Sequence, residues 1–205
     1  NVAEAQGASV FDFDETVGIS DNVVIATKDG VTKEISSAEW PNVGEQLIND
    51  GWTMDFSDFN KVTDGKPGPL LPKLKKQVER YGVDNVYILT ARAKESAPAI
   101  QAWLKSEGID LPIENVVGLG NSTGEAKADW IEENLIWTGF NDIFFVDDAF
   151  SNVDAVDKMF MKYPTGLIAD GGKSVLVRPE YRETHVKFSG KTNNETMNIF
   201  IEQTS

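Results

Sequence analysis

The chain has 205 residues, room for one domain with an insertion and a sizeable core, and its 40% hydrophobic and 25% charged content is that of a soluble globular protein. Lys and Arg total 19 against 33 Asp and Glu, a formal charge of -14. Such a surface repels nucleic acid and anionic membranes over most of its area, so no strong nucleic-acid patch is expected, although a local basic pocket stays compatible with it. There is no cysteine, and His185 is the only histidine. Disulfides, thiolate metal sites, cysteine nucleophiles and multi-histidine metal sites are therefore excluded, a Ser-His-Asp triad is not expected with the one histidine near the C-terminus, and the chemistry is expected to rest on carboxylates, hydroxyls and lysines.

In chain order, short apolar runs alternate with amphipathic stretches. Residues 8–13 read as a first strand that runs into the acids of Val10-Phe11-Asp12-Phe13-Asp14-Glu15-Thr16. Residues 23–27 and 31–35 flank Lys28-Asp29-Gly30, a hairpin pattern. The Ser36…Glu39 spacing resembles a capping box and predicts a helix over much of 37–50, stopped by Gly51. Residues 55–69 read as a loop, with Asp64-Gly65-Lys66-Pro67-Gly68-Pro69 as its breaker cluster. A helix follows over 70–81, stopped by Gly82.

From there the alternation is regular. Strand 86–89 ends at Thr90, helix 96–106 turns Ile100, Trp103 and Leu104 inward, and 115–119 is a third strand. A helix starts near Ser122 or Thr123, and strand 143–146 ends at Asp147. Then come a helix carrying Val153, Val156, Met159 and Phe160, and a last strand at 165–169. Strands separated by helices on short loops predict an α/β fold: a Rossmann-like parallel sheet of about five strands with helices on both faces. Segments 174–177, 185–188 and 197–201 alternate less clearly and suggest a β extension. No repeat, low-complexity tract, signal peptide or membrane-spanning run is visible. Asn1 is no initiator, which points to a trimmed start.

In open α/β sheets the ligand site lies beyond the carboxyl ends of the strands. Those ends carry Asp12 and Asp14, then Thr90 and Arg92, then Lys127 at a helix start, then Asp147 and Asp148. Gly118-Leu119-Gly120 completes neither the dinucleotide nor the P-loop pattern. A bacterial receiver domain also combines an acidic pair, a Thr and a Lys with a phosphorylated Asp, but there the acidic pair comes first.

The succession Asp12-Phe13-Asp14-Glu15-Thr16, Thr90 after Val86-Tyr87-Ile88-Leu89, Lys127, and Asp147-Asp148 after Ile143-Phe144-Phe145-Val146 resembles the haloacid dehalogenase (HAD) superfamily. All four of its short motifs are matched, over most of residues 8–154. The resemblance implies a Mg²⁺-dependent phosphomonoester hydrolase with an aspartyl-phosphate intermediate on Asp12. It implies Asp14 as general acid and base, and Asp12, Asp147 and the Asp14 carbonyl as metal ligands. Thr90 would hold a phosphoryl oxygen, Lys127 would neutralise charge and restrain Asp12, and Asp148 would hold a metal-bound water or pair with Lys127. Thr16 would fix the turn, Asn152 the acidic loop, while Arg92 is either a substrate contact or structural. The dehalogenase branch lacks the second acid because halide leaves without a proton, so Asp14 favours phosphate esters.

The family places caps between its first two motifs. The expected layout is thus a core over 1–172, a flap and small cap at about 18–69, and an extension over 173–205. A small cap permits small-molecule phosphate esters, nucleotides or polynucleotide ends. Trp40, Trp52, Phe56 and Phe59 could stack on such a substrate, with cap packing the more ordinary role. Segments such as "GKPGPLLPKL" resemble HAD-like proteins of tailed phages. The alternatives are a catalytically quiet module of the same fold, for example in a phage particle, or a phosphotransferase. A cytoplasmic location is expected, or a virion-associated one.

Overall fold

The computed structural model describes residues 6–163 and the backbone of 168–169 and 173–174. The first half contains β1 (Gly7–Phe11), β2 (Gly18–Ile19), β3 (Val23–Lys28), β4 (Val31–Ser36), α1 (Trp40–Asn49), β5 (Thr53–Asp55), β6 (Lys66–Pro67) and α2 (Leu71–Tyr81). The second half contains β7 (Val86–Thr90), α3 (Ala97–Ser106), β8 (Val116–Gly118), α4 (Gly124–Asn134), β9 (Asp142–Val146), α5 (Phe150–Phe160), β10 (Ile168–Ala169) and β11 (Lys173–Ser174).

Four strands form a parallel sheet in the order β8-β7-β1-β9. Successive residues of a strand face opposite sides of a sheet. Val10 and Phe11 in β1, and Ile88 and Leu89 in β7, are all fully buried, so both faces of the sheet are covered. The cover comes from Leu71 and Leu74 of α2, Ile100 and Leu104 of α3, Ala128 and Ile131 of α4, and Val153 and Val156 of α5. This is the Rossmann-like α/β architecture that the alternation of runs predicts. The chain steps from β1 to β7 to β8, then returns to add β9 on the far side of β1. The order therefore reverses at the β1–β9 pair, where such sheets place their ligands.

Of about five expected strands, four lie in this sheet. The fifth, expected at 165–169, falls mostly outside the described residues, and Ile168–Ala169 pairs antiparallel with Lys173–Ser174 instead. The rest of the expected β extension, with His185, also lies outside the described residues. Among the described residues no helix is long and apolar enough to cross a membrane.

The segment between β1 and α2 forms its own small unit. Strands β4-β3-β5 make an antiparallel sheet, with Asp29 and Gly30 at φ 50° and 78° in the tight turn between β3 and β4. Val24, Ala26, Ile35 and Phe59 form a second apolar cluster, against which Trp40, Leu47, Trp52 and Met54 pack. Trp40 and Trp52 thus serve packing. Phe56 is 46% exposed, its ring edge-on to Trp40. Ser36 Oγ accepts the Glu39 N–H at 3.1 Å, yet α1 begins only at Trp40, where Pro41 occupies the first turn that its missing N–H suits. Strand β5, inside a stretch with no readable alternation, was not foreseen; at three residues it is too short to show a period.

The unit is closed at its base by the pairing of β2 with β6. Just beyond, Gly68 N–H donates to Val17 O at 2.8 Å and Leu70 N–H to Thr16 O at 2.9 Å. A Cβ on Gly68 would lie 2.6 Å from Thr16 O and 2.7 Å from the Val17 carbonyl carbon, both backbone atoms that cannot yield separately. Gly68→Ala should therefore lower stability by about 1–3 kcal/mol, seen as a lower urea midpoint at unchanged m-value. An unchanged midpoint would show that this backbone approach is not tight.

Candidate functional site

Asp12 directly follows β1, and its N–H continues the ladder to Val146 O at 3.0 Å. Asp147 directly follows β9. Because Phe11 and Val146 are register partners, the next residue of each strand brings its carboxylate to the same place. Lys127 enters from the first turn of α4, whose N-cap Thr123 accepts the Ala126 N–H at 3.2 Å. Its Nζ lies 2.8 Å from Asp12 Oδ1 and 2.6 Å from Asp147 Oδ2. The Asp147 side chain is 0% exposed and that of Lys127 2%.

Neighbouring groups hold each carboxylate in place. Asp147 Oδ1 accepts the Ala149 N–H at 2.9 Å, and Asp147 Oδ2 accepts from Asn152 Nδ2 at 3.0 Å. Thr16 Oγ1 lies 3.1 Å from Asp12 Oδ2 and 3.5 Å from Asp148 Oδ1. A hydroxyl has one hydrogen, so the shorter contact is the bond.

Carboxylate oxygens of Asp12, Asp147 and Asp148 lie within 4.8 Å of one another. Against these three stands the single ammonium of Lys127, which leaves an uncompensated negative charge of about two if all are ionised. Burial pushes the Asp12 carboxyl up to about 7, Asp147 adds to this, and Lys127 opposes it. Burial, then Asp12 and Asp147, raise Asp148 well above the usual carboxylate range, and it shares a hydrogen bond with Asp12. Burial works against the Lys127 ammonium, but Asp12 and Asp147 together outweigh it and hold its proton more tightly than usual. A divalent cation would remove the charge excess, and a cluster of carboxylate oxygens is the donor type that hard cations take. Asn152 Oδ1, buried and without a hydrogen-bond partner among the described residues, adds an oxygen on a side chain that already touches Asp147. The residues present fit such an ion.

Asp14 stands apart from this cluster. Its carboxylate is gripped by Arg92, with Nε to Oδ2 at 2.9 Å and Nη2 to Oδ1 at 2.8 Å. Arg92 Nη1 donates to Phe59 O at 2.9 Å and Lys61 O at 2.7 Å. Arg92 Nη2 also lies 3.2 Å from Ser20 Oγ and 3.3 Å from Asn22 Oδ1. A guanidinium has five N–H groups, and these contacts use them all. Of the two roles open to Arg92 in the sequence, the structure thus supports the structural one. Thr90, buried at the end of β7, accepts the Arg92 N–H on Oγ1 at 3.2 Å. Glu15 is half-buried at φ 62° and accepts from Ser37 Oγ at 2.8 Å. Leu119 N–H donates to Thr90 O and Gly120 N–H to Arg92 O, so the Gly118-Leu119-Gly120 stretch braces the Thr90–Arg92 turn.

Six of the predicted residues therefore meet in one place: Asp12, Thr16, Lys127, Asp147, Asp148 and Asn152. Asp14, Thr90 and Arg92 form a second group joined to the inserted unit. Sequence reasoning missed the partners of Arg92 there. Two are backbone carbonyls, which leave no trace in side-chain identity. Asn22 sits in Ser20-Asp21-Asn22, which reads as an ordinary turn although Asn22 is fully buried. Comparison with protein-family models, curated proteins and solved structures found no match.

Two outcomes follow from the charge balance. Lys127→Met leaves buried carboxylates unpaired and should cost about 3–5 kcal/mol in chemical denaturation; a loss under about 1 kcal/mol would mean that the pairs contribute little. The folded Asp12 value of about 7 lies above the ordinary 3.8, so the folded state holds this proton more tightly than the unfolded one. That contribution is complete at low pH and is lost as pH rises from about 4 to about 7. Asp55, Asp58 and Glu132 are shifted downward, so their contribution has the opposite sign and is gained as pH rises through the ordinary carboxylate range. With EDTA present, Tm should fall across the window, and saturating Mg²⁺ should flatten the fall; a Tm that rises with pH under EDTA would contradict the charge balance.

Proposed function

We propose that the chain is a HAD-type, Mg²⁺-dependent phosphomonoester hydrolase that uses Asp12 as nucleophile. The observation that carries this reading is the Lys127 ammonium held between Asp12 and Asp147, with Asp148 within reach, at the carboxyl ends of adjacent parallel strands. Asp12, Asp147 and the Asp14 carbonyl would hold Mg²⁺, which supplies charge neutralisation for the phosphoryl oxygens.

Phosphoryl transfer is mainly positioning and charge compensation. An Asp12 oxygen forms a bond to phosphorus as the bond to the ester oxygen breaks, and Asp14, in its protonated form, gives the leaving oxygen its proton. Water then attacks the phosphorus of the Asp12 acyl phosphate and gives a proton to Asp14, the P–O bond to Asp12 breaks to restore its carboxylate, and inorganic phosphate leaves. Lys127 fixes Asp12 Oδ1 and balances negative charge during transfer. Thr90 accepts from Arg92 N–H and keeps its own hydroxyl hydrogen to donate to a phosphoryl oxygen. Thr16 holds the second Asp12 oxygen, and Asn152 holds Asp147. The inserted unit acts as a small cap, which suits a small phosphate ester, a nucleotide or a polynucleotide end.

An aryl phosphate assay with Mg²⁺ tests the proposal. Asp12→Asn should reduce kcat at least about 10³-fold, and Asp14→Asn about 10²–10⁴-fold. Absence of hydrolysis across a panel of phosphate esters, or full activity of Asp12→Asn, would refute it. Label appearing on an added alcohol rather than in inorganic phosphate would instead identify a phosphotransferase.

A further inference from the structure

We infer that Arg92 is a positioning residue that couples the seating of the inserted unit to the orientation of the Asp14 carboxylate; this rests on the hydrolase reading above. Arg92 belongs to the turn after β7, yet its side chain reaches two other parts of the chain. On one side it fixes both oxygens of Asp14. On the other it takes the carbonyls of Phe59 and Lys61, which belong to the inserted unit, with Ser20 and Asn22 beside them. The rings of Phe13 and Phe59 lie 5.2 and 4.8 Å from its guanidinium carbon. One ring comes from the Asp12–Thr16 loop and the other from the inserted unit's own apolar cluster.

These contacts leave Arg92 no N–H for a substrate phosphate. They instead make the direction of the Asp14 carboxylate depend on where residues 59–61 sit. A single point charge would not do this: the two-pronged contact fixes the plane of the carboxylate as well as its distance. Ser37, also in the inserted unit, holds the adjacent Glu15, so two successive acids of the loop are tied to the same unit. The Asp14 side chain stays 22% exposed, so the acid keeps an open side while its orientation is set.

A residue that orients the general acid matters in proportion to the leaving group's need for a proton. Arg92→Ala and Arg92→Lys are compared with the wild type on an alkyl phosphate and on dinitrophenyl phosphate, whose anion leaves unprotonated. The variants should lose about 10²-fold in kcat/KM, which reports transfer to Asp12 and not the later water step, on the alkyl ester and less than about 10-fold on the activated one. Asp14→Asn should give the same split, and the Asp14→Asn/Arg92→Lys double variant should be no worse than the weaker single one, because both act through one group. Arg92→Lys keeps the buried charge and carries the test if Arg92→Ala does not fold. Equal losses in kcat/KM on both esters would overturn the inference while leaving the hydrolase intact. Inactivity of the wild type on both esters would defeat the hydrolase reading and this inference with it.

Discussion

The structure around the candidate site depends on one constraint: the Lys127 ammonium is sealed between two buried carboxylates, Asp12 and Asp147. Removing a charge from water costs several kcal/mol per ion, and only close, well-directed partners offset this. The three groups must therefore arrive together, from the end of β1, the end of β9 and the first turn of α4. Two neighbouring parallel strands in register deliver the carboxylates, and a capped helix start delivers the lysine. Asp148 then deepens the negative excess that Asp12 and Asp147 already hold over Lys127, and the three carboxylates together are a donor set that fits a hard cation.

Two polar layers sit at this edge of the sheet, and they differ in what they join. The Asp12–Lys127–Asp147 layer joins β1, β9 and α4, all within the core. The Asp14–Arg92 layer joins the loop after β1 and the turn after β7 to the inserted unit. Asp12 and Asp14 are two residues apart, yet one answers to the core and the other to the insertion. That division gives two neighbouring acids of one short loop different surroundings.

Much of this was legible in the sequence, for physical reasons. Strands buried on both faces must be continuous apolar runs, so "VYIL" and "IFFV" stood out, and the residue after each marked the functional edge. Glycines after the expected helices marked their stops. The short β5 carried no period, and Pro41 moved the start of α1 to Trp40. The position of Arg92 after a strand was readable, but its role was not, because its deciding partners are the main-chain carbonyls of Phe59 and Lys61. The same holds for Glu15, whose partner Ser37 lies in a different strand-to-helix turn.

The central claim, that Asp12 carries the phosphoryl group, has a direct measurement. The protein is quenched in acid while turning over a phosphate ester with Mg²⁺, digested, and examined by mass spectrometry. A nucleophilic Asp12 predicts one added phosphoryl group on the peptide containing Asp12, lost on treatment with hydroxylamine and absent when EDTA is added. Turnover with that peptide unmodified, or with the phosphoryl group on another residue, would contradict it.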